Sequence, residues 1–367
     1  MSSRVRGINT DNLYSPLDSP AKIRNWGVKW ARLGLTGLTF RVDVDTMNVL
    51  DIEKAYNEWI ASQIALVNEI SKRCWPDIKL LLSMGTPPGG YTPLPDSYYV
   101  MFKRPKLADL FVRAWADIAR ACIDTVKYPT MKGTIYAFDL LNEPSLPEPA
   151  LRRVDYPNLM VQTVTKINNI YPNQRCVVES PDGSVDKLTA IEQLVPRLAA
   201  FNVQYSFHTY APKSFTFQGL SEWQTGVVKY PYSATNTYPN ESQINRFDKA
   251  KLRTYTSRAE AFQKLVSKPL LVGEFSAVRW CPPTLVPPIQ GSTYNYLRDS
   301  IKIFESNDWD WFYFADSTVS PEAAARRSIP FSLECNESYA SGAITPPGKE
   351  SPRLTLMKTA WAGKPLP

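Results

Sequence analysis

The segment "TIYAFDLLNEPSLPEP", residues 134–149, decides the fold. Positions 135–141 are apolar except for Asp139, the pattern of a short strand buried in a core. The run then delivers Asn142 and Glu143 side by side and stops at Pro144. An amide and a carboxylate at the tip of a buried strand are out of place unless the strand ends at a surface that uses them.

Working outward, the same kind of run recurs. Strands are expected at 5–9, 29–35, 78–84, 134–141, 175–179, 203–208, 269–273 and 309–315, eight in all. The gaps carry helical periodicity, clearest over 106–127. There Leu107, Leu110, Phe111, Ala114, Trp115, Ile118, Ala119, Cys122, Ile123 and Val126 form one apolar face, while Asp109, Arg113, Asp117, Arg120 and Asp124 form the other. Helices are also expected at 51–73, 157–171, 186–199, 244–267 and 292–306. Pro129, Pro172 and Pro269 close three of these segments, because proline cannot continue a helix.

Eight strand-then-helix units in 367 residues predict an α/β chain folded as a single (β/α)8 TIM barrel over 1–367. A doubly wound open sheet would call for a Gly-rich phosphate loop after the first strand, and "GINTDNLYSP" is not one. No Gly/Ser linker and no internal repeat divides the chain. The Pro-rich stretches 86–97, 281–289 and 317–351, and the long segment 212–243, follow strands. They therefore read as βα loops, on the face where barrels carry their sites.

Composition narrows the function classes. The net charge is +7, but Lys and Arg are spread along the chain without a run of five, so the basic clustering of a nucleic-acid surface is missing. The five cysteines lack C-x-x-C spacing and His208 is the single histidine, which argues against a zinc site. Cys74, Cys122 and Cys176 sit among apolar residues and read as core. Cys281 and Cys335 fall in Pro-rich loops, where a disulfide is one option. No segment approaches the roughly 20 apolar residues of a membrane span. The start "MSSRVRGINT" has no apolar stretch of signal-peptide type. Oligomeric state has no signature here.

Several expected strands end in polar residues. The second carries Arg32, the fourth Asn142-Glu143, the sixth His208 and Tyr210, and the seventh Glu274. Two carboxylates on one barrel face are what glycoside hydrolysis needs: an acid for the leaving oxygen and a carboxylate on the other side of the sugar. Together "LNEP", "HTY", "GEF", the arginine of "KWARLGL" and the opening "RGIN" resemble glycoside hydrolase clan A, family 5 most closely. The likeness runs in order over residues 4 to 316.

That resemblance implies roles. Glu143 corresponds to the acid/base and Glu274 to the nucleophile of a retaining β-glycosidase. Asn142 corresponds to the residue on the sugar 2-hydroxyl, His208 and Tyr210 to the strand-six pair, and Arg32 to the arginine beside the nucleophile. It implies no metal or organic cofactor, and a β-linked poly- or oligosaccharide from an extracellular or cell-surface source. Two departures stand out. The family's histidine after strand three is absent from "LLLSMGTPPGGY", where Met84-Gly85 stand near its place. In "WDWFYFAD", alignment puts Phe314 at the family's tryptophan, with Trp311 three residues earlier.

Blander readings stand beside these. A lone histidine is by default structural. Arg32 has an alternative use in neutralising Asp139, which shares the parity of Glu143. Glu179, ending the fifth strand, suits substrate binding or loop anchoring equally. Trp223, Trp280, Trp311 and Tyr91 suit either sugar stacking or packing. A catalytically silent carbohydrate-binding barrel, or a transglycosylase with the same residues, is the alternative function. The glycan, and endo against exo action, are left open.

Overall fold

The structure, a computed structural model, describes residues 4–10, 19–38, 45–91, 98–217, 230–233, 246–278, 292–316, 331–333 and 350–367. Ten strands occur in it: β1 (Arg6–Thr10), β2 (Trp30–Leu35), β3 (Lys79–Met84), β4 (Ile135–Asp139), β5 (Arg175–Ser184), β6 (Val203–Thr209), β7 (Tyr232–Ser233), β8 (Arg246–Phe247), β9 (Leu271–Phe275) and β10 (Asp310–Asp316). Eight of them close into a barrel in the order β1-β10-β9-β6-β5-β4-β3-β2. All eight expected strands are present. The seventh and eighth of them are β9 and β10, because β7 and β8 form a separate antiparallel pair. The fold is a (β/α)8 TIM barrel. No helix among the described residues is long and apolar enough to cross a membrane.

The chain packs as two compact units, Trp30–Phe207 and Met1–Lys29 with His208–Pro367. In Trp30–Phe207, β2 pairs with β3, β3 with β4 and β4 with β5, all parallel. Helices α2 (Val49–Cys74), α3 (Pro105–Ile123) and α5 (Tyr156–Ile170) are the long ones. Asn48 caps α2 and Asp155 caps α5 by accepting hydrogen bonds from Leu50 and Asn158 N–H groups, which satisfies donors that a helix start leaves free. The short helix α4 (Met131–Thr134) leads straight into β4.

Three expectations in this unit are corrected. The periodicity over 106–127 overran: α3 stops at Ile123, and Val126, assigned to its buried face, is 96% exposed. Asp124 is the reason. Its carboxylate accepts the Lys127 N–H at 3.0 Å, a turn that competes with another helical turn. The helix expected at 186–199 is broken into a 3-10 segment, Val185–Ile191, and the single turn α6 (Leu194–Arg197). Pro196 is tolerated only near a helix start, so any helix holding it must begin just before it. In addition, β5 runs on to Ser184, five residues beyond the expected end.

In the other unit, β1 pairs with β10 and β10 with β9, again parallel. Its helices are α1 (Ser19–Asn25), the short α7 (Lys213–Thr216), α8 (Lys249–Val266), α9 (Ser292–Ser306) and α10 (Pro352–Trp361). Helix α8 begins at 249 and not at the expected 244, because Asp248 caps it by accepting the Lys251 N–H at 3.1 Å. Helix α10 starts behind a Ser351 cap with Pro352 in its first turn. Its Trp361 donates to the Gly7 carbonyl at 3.2 Å.

One core residue ties α3 to the end of β4. Trp115 is fully buried, packs its ring 5.2 Å from that of Phe138 and donates its indole N–H to the Leu140 carbonyl at 3.0 Å. Trp115→Ala is expected to cost about 3–5 kcal/mol of stability, through cavity formation and a stranded carbonyl. Val126→Asp, outside the helix and in solvent, should fall within about 0.5 kcal/mol of wild type. Urea denaturation of both variants measures this, and a large loss for Val126→Asp would mean that α3 continues beyond Ile123.

Candidate active site

The segment leaving β4 is held at nearly every residue. Leu140 N–H bonds the Val177 carbonyl, Asn142 N–H bonds the Met84 carbonyl at 3.0 Å, and Glu143 N–H bonds Oε2 of Glu179 at 2.9 Å. The Asn142 carbonyl accepts the Tyr99 hydroxyl at 2.7 Å. Glu143 itself has φ +41°, in the left-handed region that costs a residue with a Cβ. The proline that follows adds to this, since it disfavours the right-handed helical conformation for the residue before it.

Inside this wall lies a charge cluster centred on Arg32. Its Nε donates to Asp139 Oδ2 at 2.7 Å, and its Nη2 lies within hydrogen-bond distance of Ser83 Oγ at 3.0 Å, Asn142 Oδ1 at 2.8 Å and Glu179 Oε1 at 2.8 Å. Asp139 and Glu179 are wholly buried and Arg32 nearly so. Burial pushes the Asp139 carboxyl up to about 7; the neighbouring Glu179 adds to the rise, and Arg32 opposes it. One guanidinium thus serves two buried carboxyl groups. The reading of Arg32 as a partner for Asp139 is borne out, and Glu179 proves to anchor the loop through Glu143.

In the other unit, Glu274 lies on β9. Tyr210, just past β6, donates its hydroxyl to Glu274 Oε2 at 2.8 Å, and His208 Nδ1 is 3.8 Å from the same oxygen. A phenol donor stabilises negative charge on that oxygen. Tyr210 is fixed in turn. Its carbonyl accepts the Thr216 hydroxyl at 2.5 Å, and its ring meets Phe217 at 5.2 Å and Phe314 and Phe331 at 6.4 Å. Asn9, from "RGIN", donates its amide to the carbonyls of Gly273 and Tyr313 at 3.0 and 3.3 Å. It clamps β9 to β10 next to Glu274, which gives that opening stretch a physical purpose.

One expectation about aromatic residues changes. Trp311 is not available for stacking: it is fully buried, its N–H donates to Glu305 Oε1 at 2.9 Å, and it pairs with Arg6 and Val272 low in β9 and β10. Phe314 stands edge-on to Tyr210 instead. At the end of β3, Met84 is buried, and Ser83, one residue earlier, is the polar group that meets Arg32. Tyr91 is 45% exposed, with its ring 4.3 Å from that of Tyr99 and its hydroxyl 2.7 Å from the Tyr99 hydroxyl. Trp223, Trp280, Cys281 and Cys335 lie outside the described residues. Sequence reasoning passed over Tyr99 and Tyr156, whose fully buried phenol holds the Glu179 carbonyl at 2.7 Å. Their only sequence signal is an aromatic residue near a loop, which is too common to single them out.

The comparisons bear on this arrangement. Residues 108–315 match the model of the Cellulase family, glycosyl hydrolase family 5. No curated protein matches the chain. Among solved structures, the chain is similar to Thermotoga maritima Cel5A in complex with cellobiose, at 16% identity and TM-score 0.58, covering 96% of this chain and 97% of that one. It is likewise similar to the same enzyme in complex with mannotriose substrate, at 16% identity and TM-score 0.55, covering 90% and 92%. A third similar structure is Pseudomonas stutzeri endoglucanase Cel5A in complex with cellobiose, at 12% identity and TM-score 0.58, covering 97% and 92%. At such identities the structural likeness speaks for the fold, while the family match spans more than half of the sequence. This chain belongs to glycosyl hydrolase family 5, the cellulase family.

Proposed function

We propose that this glycoside hydrolase cleaves a β-linked oligo- or polysaccharide with retention of configuration, using Glu274 as nucleophile and Glu143 as acid/base. The observation that carries this reading is the hydrogen bond from Tyr210 to Glu274, with His208 beside it. A carboxylate so held keeps its aim. Further support comes from the fixed turn that presents Glu143 at the end of β4. In parallel barrels, residues that follow strand ends share one rim.

In the first step, a carboxylate oxygen of Glu274 bonds to the anomeric carbon. The glycosidic C–O bond breaks, and its electron pair takes the proton of Glu143. In the second, Glu143, now a carboxylate, takes a proton from water as the water oxygen attacks the same carbon. The ester bond to Glu274 breaks and its pair returns to that carboxylate. Asn142, with Oδ1 engaged by Arg32, turns its NH2 donors toward a sugar hydroxyl. Such a route requires the two carboxyl groups about 5–5.5 Å apart.

The innermost sugar site on this reading lacks both the imidazole and the indole of family relatives: the buried Met84 stands near the place of the first, and Phe314 takes that of the second. It therefore offers fewer hydrogen bonds, and the preferred glycan is expected to differ from plain cellulose. The structures with cellobiose and mannotriose make β-glucans and β-mannans the first polysaccharides to test.

Glu143→Ala should fold normally and lose about 10²–10⁴-fold in turnover of natural glycosides, but much less on aryl glycosides with good leaving groups. Added azide should restore turnover by attacking the glycosyl-enzyme without base help. Equal loss on every substrate and no azide effect would remove Glu143 from the acid/base role.

Stereochemistry gives an independent check. Proton NMR at early times should show product with the anomeric configuration of the substrate, and inverted product would rule out double displacement. Finally, Glu274→Ala should abolish turnover, while His208→Ala, which only positions groups, should retain orders of magnitude more activity. Equal losses in two well-folded variants would mean that the nucleophile is misassigned.

A further inference from the structure

Glu179 has a more specific place than a core counter-ion needs. Its two carboxylate oxygens have different partners. Oε1 meets Arg32 at 2.8 Å, and Oε2 accepts the backbone N–H of Glu143 at 2.9 Å. The residue is wholly buried, and its own carbonyl is held by the Tyr156 hydroxyl at 2.7 Å. The N–H that it grips belongs to the one residue of the exit turn with a left-handed backbone, φ +41°. A non-glycine residue in that region is strained and persists only where neighbours over-determine it. A charge-assisted hydrogen bond from a buried carboxylate is a suitable restraint, roughly twice as strong as a neutral one.

We infer that Glu179 is a positioning residue for the acid/base: its carboxylate locks the backbone of Glu143 in the left-handed turn that aims the Glu143 side chain. The inference rests on the retaining reading given above. Asp139 fits this division of labour. It shares Arg32 with Glu179 but has no hydrogen bond to Glu143 N–H among the contacts described.

A core carboxylate that merely stabilised the barrel would, on mutation, lower activity on all substrates alike. A positioning residue acting through the acid does otherwise. Two variants separate these cases. Glu179→Gln keeps the shape and removes the charge. Glu179→Asp keeps the charge opposite Arg32 but is one methylene too short to reach both partners. Each is assayed as the full chain on aryl and alkyl β-glycosides spanning good to poor leaving groups, with kcat and KM determined separately.

For both variants kcat on poor leaving groups should fall about 10–100-fold while kcat on the best leaving groups changes less than about threefold, with KM within about twofold throughout. Tyr56→Phe serves as the control for plain destabilisation. It deletes a buried hydrogen bond to Asp117, 2.7 Å long, between α2 and α3, and should leave the ratio of rates on poor and good leaving groups unchanged.

A uniform loss across leaving groups, or a loss confined to KM, overturns the inference. So does failure of both Glu179 variants to fold, since that makes the residue a structural keystone. If Glu143→Ala shows the acid/base signature and the Glu179 variants do not, the positioning role falls alone. If Glu143→Ala lacks that signature, the retaining reading falls first.

Discussion

Arg32 and the two buried carboxyl groups around it are the constraint on which the Glu143 half of the site depends. Burying ions is expensive, and attraction between them repays the cost only when geometry is good and the remaining donors and acceptors are satisfied. Here one guanidinium reaches Asp139, Glu179, Asn142 and Ser83, drawn from β2, β3, β4, β5 and the turn after β4. Removing the guanidinium would leave two buried carboxyl groups without their shared partner, typically a loss of about 3–5 kcal/mol. The cluster is therefore held as a unit by Arg32. It fixes the register of four neighbouring strands and, through Glu179, the backbone of the residue that follows Asn142.

How much of this was legible in the sequence follows from the range of each interaction. Strands were legible because an apolar run five to seven residues long is a local signal. The inward parity of Asp139 and Glu143 gave away the partnership with Arg32, since a buried carboxylate needs a cation. The ends of α3 and α8 were misjudged because periodicity ignores the caps: Asp124 and Asp248 overrule the apolar pattern with side-chain hydrogen bonds. The bond between Glu179 and the Glu143 N–H joins residues 36 apart in sequence and depends on a backbone dihedral, so neither spacing nor composition announces it. Trp311 misled for a related reason. Aromatic residues at alternating strand positions look alike in sequence, and only height along the strand separates a core residue from a rim residue.

The aromatic surroundings of Tyr210 show how packing alone can aim a polar group. Phe217, Phe314 and Phe331 meet Tyr210, and the Tyr313 hydroxyl donates to the Phe331 carbonyl at 2.6 Å. These rings restrict the phenol to the orientation that reaches Glu274. None of these phenyl rings offers a hydrogen bond, so they hold Tyr210 by packing alone, and its hydroxyl is left to Glu274.

The unit that bears Glu274 is made from both ends of the chain. Strand β1 pairs with β10, the Gly7 carbonyl accepts the Trp361 indole, and the Trp26 and Trp361 rings stack at 6.4 Å. Residues Trp30–Phe207, by contrast, are continuous. A ribosome releases the chain from its N-terminus at about 5–20 residues per second, and continuous segments fold as they emerge. The Arg32 cluster can therefore assemble during synthesis, while β1 waits for its pairing with β10 until that strand has been made. On that order of events, the turn that carries Glu143 is built before the strand that carries Glu274 exists.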